Sequence, residues 1–170
     1  QGIAPNKEHF GPFVGGVEQV PADDLEALSV LMSTRGHEVA AIITEPVQGA
    51  GGIHPTDADY LRGLRRLCDQ HGAFLVFDEV ITGFGRLGQW FAAQHYGVTP
   101  DLITFAKGVT SGYQPVGGVF LGPKAVAALE SNPDFFLRHG YTYSGHPIAC
   151  AAALKNLEII ERDRKSTRLN

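Results

Sequence analysis

Two short apolar runs, each stopped by a charged residue, limit what this chain can fold into. Ala73-Phe74-Leu75-Val76-Phe77 runs directly into Asp78 and Glu79. Leu102-Ile103-Thr104-Phe105 runs through Ala106 into Lys107. Runs of this length and composition fit strands buried on both faces, as in a parallel sheet. Between them lie Val80-Ile81-Thr82 and a glycine-punctuated turn, Gly83-Phe84-Gly85-Arg86-Leu87-Gly88. Open α/β sheets bind ligands at the carboxyl ends of their strands. An acid at one such end and a lysine at another therefore mark residues 73–107 as the stretch around which a site is built.

The remaining segments supply the layers such a sheet needs. Residues 1–22 read as loop, because Pro5, Gly11-Pro12, Gly15-Gly16 and Pro21 interrupt regular structure. A helix is expected over 25–35, with Asp23 or Asp24 as N-cap and Gly36 as stop. Residues 39–44 read as a buried strand, and Pro55-Thr56-Asp57 starts a helix whose apolar positions Tyr60, Leu61, Leu64, Leu67 and Cys68 share a face. Gly72 ends it, and the strand 73–78 completes a right-handed βαβ unit. A shorter helix is expected over 87–96, strands over 101–105 and 116–121, and helices over 124–130 and 147–161. The fold class is α/β, a mainly parallel sheet with helices on both faces, in one domain.

Composition narrows the function classes. A net charge of −4 gives no support to a nucleic-acid or anionic-membrane surface. No apolar run approaches the ~20 residues needed to cross a bilayer. Cys68 and Cys150 lie in helix-like segments without metal-ligand spacing and read as reduced thiols, which implies a cytoplasmic setting. The chain starts at Gln1 in mid-loop and is expected to be a fragment. Residues 163–170 break the helical pattern and match the translation of a sequencing adapter. The alternative is a frayed, basic helix end.

Lys107 is the foremost chemical candidate. A lysine held among apolar groups loses solvation, and its neutral amine becomes available; a strand-capping lysine that snorkels to water fits the position equally well. Asp78 and Glu79 point to opposite sides of the strand end, so one can enter a site while the other faces a loop or the helix layer. An amine and an acid so placed can hold a pyridine cofactor, the amine as a Schiff base and the acid on the ring nitrogen. Asp78 capping the turn at 82–85 is the plainer reading. Gly49-Ala50-Gly51-Gly52 lacks both the dinucleotide and the P-loop pattern. Tyr141-Thr142-Tyr143-Ser144-Gly145-His146-Pro147 leads into the last helix and suits either a phosphate or an ordinary cap. No local His/Asp/Glu cluster has metal-ligand spacing.

Four of these stretches together resemble a known family. Thr44-Glu45-Pro46-Val47-Gln48-Gly49, residues 77–88, residues 100–108 and Thr142-Tyr143-Ser144-Gly145-His146-Pro147 are similar, in order and spacing, to the class III aminotransferases, which use pyridoxal 5′-phosphate. The resemblance covers about residues 36–162. It implies that residues 1–162 are part of the large, cofactor-binding domain of a fold type I pyridoxal-phosphate enzyme. Lys107 then matches the lysine that binds the cofactor as a Schiff base and moves the substrate proton. Asp78 matches the acid on the pyridine nitrogen, and Val80 the aliphatic residue on one ring face. Thr142 matches the threonine that reaches the cofactor phosphate of the neighbouring subunit, which implies a homodimer. Glu45 matches an acid on the substrate side that pairs with a mobile arginine in several members.

Ile81 stands where ornithine and 4-aminobutyrate aminotransferases have a glutamine, and residues 111–115 and 143–147 look more like the ω-amino acid:pyruvate branch. The implied reaction is a ping-pong transamination between an amine or ω-amino acid and a keto acid such as pyruvate. Other class III chemistry, an aminomutase or a decarboxylase, would use the same cofactor residues, and a silent α/β binding fragment is the non-enzymatic alternative. The family's phosphate loop, its ring-stacking aromatic and its C-terminal specificity domain have no counterpart in these residues. The fragment alone is therefore expected to be inactive.

Overall fold

A computed structural model describes residues 4–163. Its centre is a four-stranded sheet of β1 (Ala41–Thr44), β4 (Phe74–Asp78), β5 (Leu102–Phe105) and β6 (Gly118–Leu121), in that spatial order. A two-stranded hairpin, β2 (Val47–Gln48) and β3 (His54–Pro55), follows β1. β1, β4 and β5 are parallel, whereas β6 runs antiparallel to β5. The helices are α1 (Leu25–Arg35), α2 (Ala58–His71), α3 (Ala92–Tyr96), α4 (Pro123–Glu130) and α5 (Pro147–Asp163). The result is a mixed, mostly parallel sheet carrying helices.

The helix boundaries follow from capping chemistry. Asp24, not Asp23, caps α1, its carboxylate accepting from Ala27 N at 2.8 Å. Asp57 caps α2 by accepting from Asp59 N (2.7 Å) and Tyr60 N (3.2 Å). Gly72 closes α2 at φ 74, a left-handed shape that costs glycine least. Leu61, Leu64 and Cys68 of α2 are fully buried, and they meet Leu75 and Phe77 of β4 and Leu28 and Met32 of α1. α4 reaches the other face, where Lys124 Nζ lies 4.9 Å from the centre of the Phe74 ring.

Several expected boundaries move. The first strand covers 41–44 rather than 39–44, and it is not buried: Ile43 is 66% exposed on β1, which is a sheet edge among the described residues. The expected strand 116–121 shortens to 118–121. The helix expected over 87–96 is reduced to α3. Phe84 (φ 59), Gly85 (φ 96) and Gly88 (φ 80) adopt left-handed backbone that no α-helix admits, and Phe84 N and Gly85 N donate instead to Trp90 O and Gln89 O. The hairpin β2–β3 was not foreseen, since two-residue strands leave no period to read. Of the suspected tail, Asp163 ends α5, and residues 164–170 lie outside the described residues. Among the described residues no helix is long and apolar enough to cross a membrane.

Asp101 fastens the sheet at the start of β5. Its Oδ2 accepts from Leu75 N (2.8 Å) and Arg65 Nη1 (3.0 Å), and its backbone N–H donates to Leu75 O (2.8 Å). Asp101→Asn removes the charge facing the half-buried Arg65 while keeping one acceptor. The expected cost is about 1–3 kcal/mol, read as a lower thermal midpoint with the sheet's far-ultraviolet signal intact.

Candidate active site

β4 and β5 are parallel neighbours, so their carboxyl ends open on one edge of the sheet. Asp78, the last residue of β4, pairs in register with Thr104 of β5. Strand alternation puts both side chains on the face opposite Leu75 and Phe77. Asp78 is half-buried, and its Oδ1 accepts from Val80 N at 3.1 Å. Thr104 Oγ1 is buried with no hydrogen-bond partner among the described residues. An unpaired buried hydroxyl costs about 1–3 kcal/mol. A carboxylate and a hydroxyl with unused capacity thus stand on the same face.

Lys107 opens a 3₁₀ turn, Lys107–Thr110, two residues past the end of β5. Its φ of 42 is in the left-handed region, which costs an L-residue roughly 1–2 kcal/mol. Lys107 is exposed, as the strand-capping reading has it, and is not held among apolar groups. The strand stops at Phe105, and the turn then carries residue 107 out of the layer that buries Phe77. Lys107 borders an open cleft of about 670 Å³, shared with Thr110, Gln114, Pro115 and Val116. Thr110 Oγ1 donates to Gln114 O at 2.6 Å and holds the far rim of that cleft.

The turns that follow three strands lie against one another. A Cβ on Gly108 would come 3.3 Å from Phe84 Cβ, and one on Gly49 would come 3.0 Å from Ile81 Cγ1. The Lys107 turn therefore rests on the turn after β4, and the Glu45–Gly49 turn rests on the same turn from the other side. Val80 is half-buried within it. Glu45 is half-buried, and its Oε2 accepts from Gly49 N at 3.0 Å. It borders a different cavity, about 1450 Å³, between residues 16–22 and β1. Thr142 sits on an exposed turn and does not line the Lys107 cleft. Asp78, Val80, Glu45 and Lys107 thus share one sheet edge, and Thr142 stands apart.

Two residues of this edge had no assigned partner in the sequence. Glu79 is fully buried. Its Oε1 accepts from Ala93 N (2.9 Å), and its Oε2 accepts from Ala92 N and from Thr82 Oγ1 (3.0 Å). Its backbone N–H donates to Thr104 O at 3.0 Å. Burial pushes the Glu79 carboxyl above the usual range, and the hydrogen bonds from Ala93, Ala92 and Thr82 pull it part of the way back. Strand alternation foretold that Asp78 and Glu79 would diverge, but not which groups Glu79 would meet. Asn156 of α5 donates through Nδ2 to Gly108 O (2.9 Å) and Val109 O (3.1 Å). Its only signal in the sequence is a weak helix former inside an Ala-rich helix.

Comparison with known proteins gives a consistent result. The family model for class-III aminotransferases matches residues 3–169. An omega-aminotransferase of Caulobacter vibrioides is 42% identical over 95% of this chain and 42% of its own length. An acetylornithine aminotransferase of Nitrosomonas europaea is 45% identical over 91% of this chain and 37% of its own. Among solved structures, an (S)-enantioselective omega-transaminase from Thermomicrobium roseum superposes with a TM-score of 0.88 at 40% identity, over 98% of this chain and 41% of that one. The chain spans roughly two fifths of the length of the curated relatives it matches, 42% and 37% for these two.

Proposed function

The chain belongs to the class-III aminotransferases, and from that premise we propose that the protein containing it moves an amino group from an amine or ω-amino acid to a keto acid such as pyruvate. The observation that carries this reading is the shared edge. Asp78 stands beside a Thr104 hydroxyl with no partner among the described residues, and an exposed Lys107 borders a cleft on a turn packed against the turn after β4. We take residues 1–162 as part of the cofactor-binding large domain, inactive without the rest of the protein.

The donor set fits pyridoxal 5′-phosphate. An amine free of the sheet can attach to an aldehyde, and a half-buried carboxylate can keep a ring nitrogen protonated. The lone Thr104 hydroxyl leaves hydrogen-bonding capacity for a ligand on the same face. Lys107 and Asp78 would hold the cofactor, with Val80 against its ring and Thr142 reaching the phosphate of a partner subunit. When bound, the cofactor supplies an electron sink for the charge left on a substrate carbon. Lys107 Nζ would take the proton from the donor Cα, pass it to the cofactor, and run the same transfer in reverse for the keto acid, so its exposure to the cleft is a requirement of its work. The Asp78 carboxylate accepts from Val80 N, and that local bond fixes its orientation. Glu45 would meet the substrate side.

A homodimer is part of this reading. Tyr141 (78% exposed), Tyr143 (81%) and Ile148 (63%) surround Thr142 with apolar surface that a second subunit would cover. The unpaired cysteines, Cys68 and Cys150, support a cytoplasmic setting. A donor of the N-acetylornithine type is the second reading, favoured by the 45% identity to an acetylornithine aminotransferase.

The test is a spectrum of the full-length protein with pyridoxal 5′-phosphate, before and after adding donor. The visible band should bleach with β-alanine and return with pyruvate. Bleaching by N-acetylornithine alone would move the assignment to the second reading. A band that no donor bleaches would replace transamination by aminomutase or decarboxylase chemistry, and the lack of any band would refute the cofactor assignment.

A further inference from the structure

The turn that presents Lys107 rests on Phe84 at Gly108, and one side chain of α5 hydrogen-bonds it from the other direction in sequence. Beyond Phe105 the sheet no longer restrains the chain, and the turn's own bonds, Val109 N to Ala106 O (3.2 Å) and Ser111 N to Gly108 O (3.3 Å), are long. Lys107 and Ser111 both have left-handed backbone, at φ 42 and 52. Such shapes persist where neighbouring groups over-determine them. Asn156, 48 residues after Gly108 in the chain, meets three groups of this turn. Its Nδ2 donates to Gly108 O and Val109 O, and its Oδ1 accepts from Ser111 Oγ at 2.8 Å. Two carbonyl acceptors on one side and a hydroxyl donor on the other define which end of the amide faces which. The packing of α5 on this turn brings Asn156 there.

We propose that Asn156 is a positioning residue that holds the Lys107 turn in the shape from which the amine enters the cleft. This rests on the reading of Lys107 given above. Asn156 does not line the Lys107 cleft; it acts through the carbonyls of Gly108 and Val109, the two residues that follow Lys107.

Asn156→Asp is the sharpest variant, because it keeps the shape and turns two donors into acceptors that face carbonyl oxygens. In the full-length protein, the rate at which Lys107 is captured by added pyridoxal 5′-phosphate, followed by absorbance and fixed with borohydride, should fall about tenfold, the size expected for losing two ordinary hydrogen bonds. The kcat should fall by a similar factor with the donor KM unchanged. Ser111→Ala, which keeps both donors of Asn156, should show a smaller loss in each. Lys155→Ala, on the solvated face of the same helix, should match wild type. A lower thermal midpoint with unchanged capture rate and kcat would make Asn156 a packing residue and overturn the proposal. If Lys107→Ala still forms the band and turns over, the reading of Lys107 itself fails, whatever Asn156 does.

Discussion

Lys107→Ala in the full-length protein is expected to lower transamination by about 10³-fold or more. The loss is large because one nitrogen has two tasks in the proposed reaction. It attaches the cofactor between turnovers, and it moves the substrate proton. Alanine does neither, and no other lysine borders the cleft among the described residues. Lys107→Arg should be almost as poor, since a guanidinium keeps its charge at any working pH and cannot act as a base. A small primary amine added to Lys107→Ala should recover part of the rate, because the cleft is open to solvent and the missing group is only an amine. Recovery separates chemical loss from a collapsed turn. Steady-state rates with donor and pyruvate decide the matter. A Lys107→Ala enzyme within tenfold of wild type would remove Lys107 from the reaction.

Glu79→Ala is expected to cost roughly 3–5 kcal/mol of stability in the same protein. The alanine leaves Ala92 N, Ala93 N and the Thr82 hydroxyl without their acceptor in a fully buried place. Glu79→Gln keeps the volume but turns an N–H₂ toward a backbone N–H, and about 1–3 kcal/mol should be lost. The pH dependence has a definite sign. Burial raises the folded carboxyl above the ordinary glutamate value of about 4.3. Over the window between the two values the folded protein keeps a proton that the unfolded chain has released. The stability that Glu79 contributes is therefore full below the ordinary value and is lost as pH rises through the folded one. The difference in thermal midpoint between wild type and Glu79→Gln should narrow as pH rises through that window. A difference that widens would show that the hydrogen bonds from Ala93, Ala92 and Thr82 outweigh burial.

Much of this molecule was legible in the order of its residues, and for local reasons. Asp57 and Gly72 bound α2 because capping depends on a side chain and the few backbone groups beside it. Leu61, Leu64 and Cys68 share a face because a helix turns every 3.6 residues. Asp78 ends one strand and Lys107 follows another because each apolar run is stopped by a charged residue. The family resemblance rested on such local stretches, and the match over residues 3–169 agrees with it.

What the residue order left open depends on groups far apart in the chain. Whether residues 118–121 run with or against β5 is decided by the path of the connection over residues 106–117, not by their own apolar pattern. Ile43 reads as core yet lies open, because burial belongs to what covers a residue. The turn at 80–91 displaced a helix through left-handed backbone whose bonds pair its two limbs. Lys107 left the apolar layer for the same kind of reason, since a strand's end fixes where a residue begins but not where its turn leads. Glu79 reaches Ala92 and Ala93, and Asn156 reaches Gly108 and Val109, across 13 to 48 residues of chain. Hydrogen bonds act over about 3 Å, and only the folded chain sets which groups come that close.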